Sequence, residues 1–106
     1  MSFSNKESSL AQSLHIVENV RNRLLLILAR MFQSLSGGKD ELVKEDLSEI
    51  ILNSYILGKR LGVTYQGMDE ALLKKAREYA SQKEEVEEYF GDITDFLNYY
   101  QTQKKK

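Results

Sequence analysis

Proline is absent from this sequence, and its 106 residues include only six glycines. Proline usually makes up about 5% of a protein and strongly interrupts helices. A chain without proline has few obligatory breaks, which favours long helices over a sheet with many tight turns. We therefore predict an all-α protein. The length predicts a single helical domain over residues 1–106, with residues 102–106 as a disordered tail.

The counts of Cys, His and charged residues exclude several classes of function. There is no Cys and one His, which excludes disulfides, thiolate nucleophiles and zinc sites built from Cys or paired His. The net charge of −1 gives no overall attraction to nucleic acid or to an anionic membrane. The longest apolar run covers residues 24–29, whereas a membrane span needs roughly 20 residues. No secretion signal is visible, so a cytoplasmic protein without nucleic-acid or membrane partners is expected.

Hydrophobic periodicity divides the chain into four predicted helices. The first ends at Gly37-Gly38 and the second covers about residues 40–61, so these two long helices form a hairpin. A third, shorter helix is predicted near residues 68–80. The fourth begins near Ser81, a candidate N-cap, and contains Gly91, which we expect to permit a close helix approach. The expected layout is a hairpin followed by two shorter C-terminal helices.

Both long helices carry a stripe of apolar residues on one face. On the first helix, with Arg21 as the polar exception, the stripe consists of Leu10, Leu14, Val17, Leu24, Leu28, Met31 and Leu35. On the second it consists of Val43, Leu47, Ile50, Ser54, Leu57 and Leu61. Other apolar residues in these helices point away from the stripes, so each helix must be covered on more than one side. We therefore predict a homodimer or larger homo-oligomer, assembled through helices one and two.

Arg21 has two interpretations. It can pair with Glu18 or with an acid of another subunit. Alternatively, its aliphatic stem lies along the edge of the core while the guanidinium reaches solvent.

A polar stripe lies on the second helix, on the side that we expect to face away from its apolar stripe. Asp46, Glu49 and Asn53 follow one another at i, i+3 and i+7, within about 60° around the helix axis. Carboxylate and amide oxygens on one helix face are suitable ligands for Mg²⁺. The alternative is that the stripe is an ordinary solvated helix face.

Two segments carry a resemblance to a known family. The stretch EDLSEIILNSYILGKRLGV, residues 45–63, and the stretch VEEYFGDITDFL, residues 86–97, resemble the MazG-like family. These short bacterial all-α proteins are distant relatives of the all-α nucleoside triphosphate pyrophosphohydrolases. The resemblance covers roughly residues 10–100 and implies a four-helix MazG-like bundle. In the catalytic relatives, two acidic pairs, Glu-x-x-Glu and Glu-x-x-Asp, hold Mg²⁺ against a triphosphate.

The later acidic pair resembles Asp46 and Glu49, with the two acids in exchanged order, but the earlier pair has no counterpart. A hairpin that turns at Gly37-Gly38 places Asp46 opposite residues near Arg30, and residues 25–30 contain no carboxylate. Glu18 is about 18 Å away along the helix axis. We predict instead that the Arg30 guanidinium makes an ion pair with Asp46 and Glu49.

Two hypotheses about function follow. The first is a MazG-like homo-oligomer with an incomplete metal site, which acts in binding or assembly rather than turnover. The alternative is a Mg²⁺-dependent nucleoside triphosphate pyrophosphohydrolase that uses Asp46, Glu49 and Asn53, with a nucleotide as ligand. Asp92 and Asp95 are possible additional ligands for that site, or part of a solvated face on the fourth helix. No residue is assigned a catalytic role.

Overall fold

The computed structural model describes residues 2–82 and 84–104, and it is all-helical within those ranges. The five helices are α1 (Ser2–Ser36), α2 (Asp40–Arg60), α3 (Tyr65–Ser81), α4 (Glu85–Phe90) and α5 (Asp92–Lys104). The all-α class and the two long N-terminal helices are thereby confirmed. No helix in the described part of the chain is long and apolar enough to cross a membrane.

The chain divides into two compact units, Met1–Tyr65 and Gln66–Lys106. The first unit is the hairpin of α1 and α2, whose helices pack against each other. The second unit contains the rest of α3 and the short helices α4 and α5. α5 continues through Lys104, so residues 102–104 of the predicted disordered tail are helical, while residues 105 and 106 lie outside the described residues.

The hairpin turns at Gly37-Gly38, as predicted. Gly38 has a φ of +69°, in the left-handed region that is costly for residues with a Cβ. The amide of Lys39 donates to the carbonyl oxygen of Ser34 at 3.1 Å, which satisfies one of the last carbonyls of α1. Three residues therefore suffice to reverse the chain direction.

The predicted fourth helix is two helices, α4 and α5, and this corrects the expected layout. Gly91 has a φ of +67° and ends α4, with its amide donating to the carbonyl of Glu87 at 2.9 Å. The carboxylate of Glu87 then accepts hydrogen bonds from the amide and the hydroxyl of Thr94, near the start of α5. Ser81 is likewise not an N-cap, because it is the last residue of α3 and donates to the carbonyl of Glu78.

The side of α1 that is buried overlaps the predicted stripe only in part. Val20 and Ile27 are its buried apolar residues and Ser34 is also buried, while Leu10, Leu14, Leu28 and Leu35 of the predicted stripe are exposed. Val20, Ile27 and Ser34 recur every seven residues, which keeps them on one helix face. The prediction was wrong for these four leucines, whereas Val17, Leu24 and Met31 of the stripe are half-buried. α1 has two neighbouring apolar faces, and periodicity alone did not show which of them meets α2.

We expect Ile27→Ala to lower the free energy of unfolding by roughly 2–5 kcal/mol, because it leaves a cavity in a small core. Asn22→Ala is the matched control, since Asn22 is an exposed polar residue of the same helix. It should change the free energy of unfolding by less than about 1 kcal/mol. Chemical denaturation followed by circular dichroism measures both values, and equal losses would contradict the packing described above.

Candidate functional site

Among the described residues, arginines of α1 contact two buried polar side chains of α2, and these two contacts are spaced two helical turns apart on both helices. Arg23 donates from Nη1 to Asn53 Oδ1 at 3.0 Å, and Arg30 donates to Asp46. Arg23 and Arg30 are seven residues apart, as are Asp46 and Asn53, so each pair lies on one face of its helix. In both contacts the two residue numbers sum to 76, which defines a single antiparallel register for the hairpin.

Arg30 and Asp46 form the stronger of these contacts. Nε and Nη2 of Arg30 both donate to Asp46 Oδ1, at 2.9 and 2.6 Å, and Nη2 also reaches Glu49 Oε2 at 3.4 Å. The ion pair predicted between Arg30 and the two acids is therefore present. Asp46 is only 3% exposed, whereas the Arg30 side chain is 55% exposed and keeps one edge in solvent.

The second oxygen of Asp46 has a different environment. Oδ2 is buried and has no hydrogen-bond partner among the described residues. A buried carboxylate oxygen without a donor is costly, so the carboxylate depends on the charge of Arg30 for its stabilisation. The pKa of the Arg30 guanidinium is raised above its usual range. The main cause is its hydrogen bonding to Asp46, and the second is the attraction between the two charges. Arg30 is therefore a permanent cation.

These residues line a cleft of about 240 Å³ between the two helices. Its lining consists of Arg30, Ser34, Leu42, Glu45, Asp46 and Glu49. The cleft thus combines three carboxylates with one guanidinium that already contacts two of them. Within the described part of the chain, no group of three or more His, Asp or Glu side chains is arranged to hold a metal ion.

The predicted polar stripe of α2 faces α1 at Asp46 and Asn53. Asp46 and Asn53 are buried and face α1, so the solvated-face interpretation is wrong for both. Glu49 lies at the rim, with about half of its side chain exposed. Each of the two buried side chains accepts a hydrogen bond from an arginine of α1, which explains how a polar stripe faces the neighbouring helix. Metal binding by Asp46, Glu49 and Asn53 stays a prediction.

Arg23 was missed by the sequence interpretation. Asn53 donates from Nδ2 to the backbone carbonyl of Glu49 at 2.8 Å, which directs its Oδ1 to accept from Arg23 at 3.0 Å. The sequence could have predicted this contact, because the register that places Arg30 opposite Asp46 also places residue 23 opposite Asn53. Asp92 and Asp95 lie on α5 in the second unit, and their suggested role as additional ligands stays a prediction.

Comparison with known proteins identifies the family. The model of the MazG-like family matches residues 10–93. The chain belongs to the MazG-like family. The matched segment includes both arginines and both of their partners on α2, so the contacts between the helices lie within the part of the chain that defines membership. No match was found among curated proteins or among solved structures.

We expect Arg30→Met to lower the midpoint of thermal unfolding of this MazG-like protein, because it leaves the buried Asp46 carboxylate without a counterion. Arg77→Met is the matched control, since Arg77 is exposed on α3 and should leave the midpoint unchanged.

The double variant Arg30→Met/Asp46→Leu should recover most of the loss, because it removes the buried charge together with its partner. Differential scanning calorimetry measures all four midpoints. An Arg30→Met midpoint equal to that of the wild type would show that the ion pair does not stabilise the hairpin.

Proposed function

We propose that this MazG-like protein is a homo-oligomer that acts in binding or assembly, without nucleotide turnover. The observation that carries the proposal is the position of Arg30. Its guanidinium occupies the acidic face of α2, where the resemblance to catalytic relatives implies a metal ion. A tethered cation there supplies the charge that the acids need, and it offers no oxygen ligand and no metal-bound water.

The donor set of a single chain does not fit Mg²⁺. Mg²⁺ requires several oxygen ligands in near-octahedral geometry. Asp46 Oδ1 already accepts two hydrogen bonds from Arg30, and Glu49 is in contact with the same guanidinium. A divalent cation at this position would also be repelled by Arg30, over a few ångströms and in a partly buried environment. The earlier acidic pair of the catalytic relatives has no counterpart that would offset this repulsion.

One observation favours the alternative, a Mg²⁺-dependent nucleoside triphosphate pyrophosphohydrolase. Asp46 Oδ2 has no hydrogen-bond partner among the described residues, and Glu45 lines the same cleft. For turnover, Arg30 would have to leave Asp46, and further carboxylates would have to come from Asp92, Asp95 or another subunit. The alternative thus needs a rearrangement and additional ligands, whereas the proposed function needs neither.

The apolar surface of the hairpin supports the homo-oligomer. Val20 and Ile27 are the buried apolar side chains of the described residues, which is very little for a chain of this size. Large apolar side chains are exposed along both long helices, among them Leu14, Leu25, Leu26, Phe32, Leu35, Leu42, Leu47, Ile51 and Leu52. Soluble monomers rarely expose contiguous apolar surface of this extent, so a second copy covering it accounts for the composition of α1 and α2.

Turnover is tested by pyrophosphate release from a panel of nucleoside triphosphates with Mg²⁺ or Mn²⁺. We expect the wild type to release no more pyrophosphate than the matched variant Asp46→Asn/Glu49→Gln. Calorimetric titration of the wild type with Mg²⁺ should show no binding in the micromolar range. Release well above background that the double variant abolishes would establish the alternative function instead.

Assembly is tested by size-exclusion chromatography with light scattering. We expect a mass of at least twice 12.3 kDa at micromolar protein concentration, because the apolar faces of α1 and α2 are covered by another copy. A stable monomer at that concentration would refute the proposed homo-oligomer.

A further inference from the structure

α1 carries a second face with the spacing of a coiled-coil seam, separate from the one that meets α2. This outer seam consists of Leu14, Glu18, Arg21, Leu25, Leu28, Phe32 and Leu35. Its members alternate at spacings of four and three residues, as positions a and d of a heptad repeat do. The five apolar members are 41–65% exposed, and Glu18 and Arg21 are exposed as well.

The length and shape of the outer seam suit another helix. At 100° and 1.5 Å per residue, its members lie within an arc of about 100° and extend over about 30 Å. A stripe so narrow and long matches the contact surface of a second long helix, and the longest helix of this chain is α1 itself.

The two charged members of the outer seam have opposite signs and are three residues apart. Neither Glu18 nor Arg21 makes an ion pair or hydrogen bond with the described residues. In a parallel pair of α1 helices, each charge would lie beside the same charge of the partner, which is unfavourable. In an antiparallel pair whose residue numbers sum to 39, Arg21 lies opposite the partner's Glu18, and two-fold symmetry forms this ion pair twice.

The same register also pairs two of the five apolar members of the outer seam with each other. It places Leu14 opposite the partner's Leu25, again twice by symmetry, so that each ion pair is followed outward by a leucine contact. Polar residues within an apolar seam reduce affinity relative to apolar ones, but they select one orientation and register.

We propose that α1 forms a two-fold antiparallel pair with α1 of a second copy, in which Arg21 binds the partner's Glu18. This rests on the proposed homo-oligomer and adds its interface, its orientation and its register. The occupant of the outer seam is therefore a second copy of this chain.

Charge reversal tests the ion pair in the full-length protein. Glu18→Arg and Arg21→Glu should each raise the dimer dissociation constant roughly tenfold or more, because each places like charges opposite one another twice. The double variant should return to the wild-type value, and a 1:1 mixture of the two single variants should form heterodimers. Lys75→Glu and Glu78→Lys are the matched controls, because that exposed pair on α3 has the same i, i+3 spacing. Neither control should change the constant.

Disulfide trapping tests the register, and the absence of Cys from the chain makes it selective. Under mild oxidation, a 1:1 mixture of Leu14→Cys and Leu25→Cys should form a heterodisulfide. Neither variant should crosslink with itself, because identical positions lie about 16 Å apart along the axis, beyond the reach of a disulfide.

Each remaining outcome identifies what is wrong. A Leu14→Cys homodisulfide would show a parallel pair, and crosslinking of Leu14→Cys to Phe32→Cys would show another register. A dimer that is insensitive to charge reversal at Glu18 and Arg21 would overturn this interface and leave the homo-oligomer intact. A wild-type monomer would overturn both.

Discussion

The buried carboxylate of Asp46 imposes the strictest condition on the hairpin. An ionised carboxylate that is 3% exposed is stable only beside a partner of opposite charge, and Arg30 supplies that partner through two hydrogen bonds. A shift of the register by one turn would remove Arg30 from Asp46 and, at the same time, Arg23 from Asn53. Apolar contacts between two leucine-rich helices tolerate such shifts far better. The polar contacts therefore select the register, while the apolar residues supply affinity without choosing among alternatives.

The proposed homo-oligomer would supply much of the stability of the hairpin. With Val20 and Ile27 as the buried apolar residues of the described chain, the apolar area removed from water within one copy is small. The conformational entropy lost on ordering two helices of 35 and 21 residues is large by comparison. When most of the apolar surface becomes buried only in an oligomer, folding and association are coupled, and stability depends on protein concentration. On this proposal, the exposed leucines of α1 and α2 contribute to folding through association.

How much of the fold and of the candidate site could be predicted depends on whether the deciding interactions lie between residues close in the sequence. The absence of proline was sufficient to predict the all-α class, and the Gly37-Gly38 pair was sufficient to predict the hairpin. Counting residues outward from that turn was sufficient for the contact between Arg30 and Asp46. The buried face of α1 was not predictable by periodicity, because Val20 and Ile27 lie on a seam offset by one residue from another apolar seam. The break at Gly91 was missed because a glycine costs a helix only about 1 kcal/mol, so capping by Glu87 decides whether the helix ends there.

The two seams of α1 connect the absence of the earlier acidic pair with the proposed assembly. The segment that lies opposite Asp46 and Glu49 contains Leu25 and Leu28, two members of the outer seam, and Ile27, a member of the buried face. A helix with apolar residues on two neighbouring faces has few positions left for carboxylates in the turns that lie opposite Asp46 and Glu49. Arg30 fits there because its long side chain reaches Asp46 of α2 while more than half of that side chain stays exposed. In the proposed assembly, an arginine at this position lets α1 serve both as core and as interface, because no carboxylate is needed in the same turns of the helix.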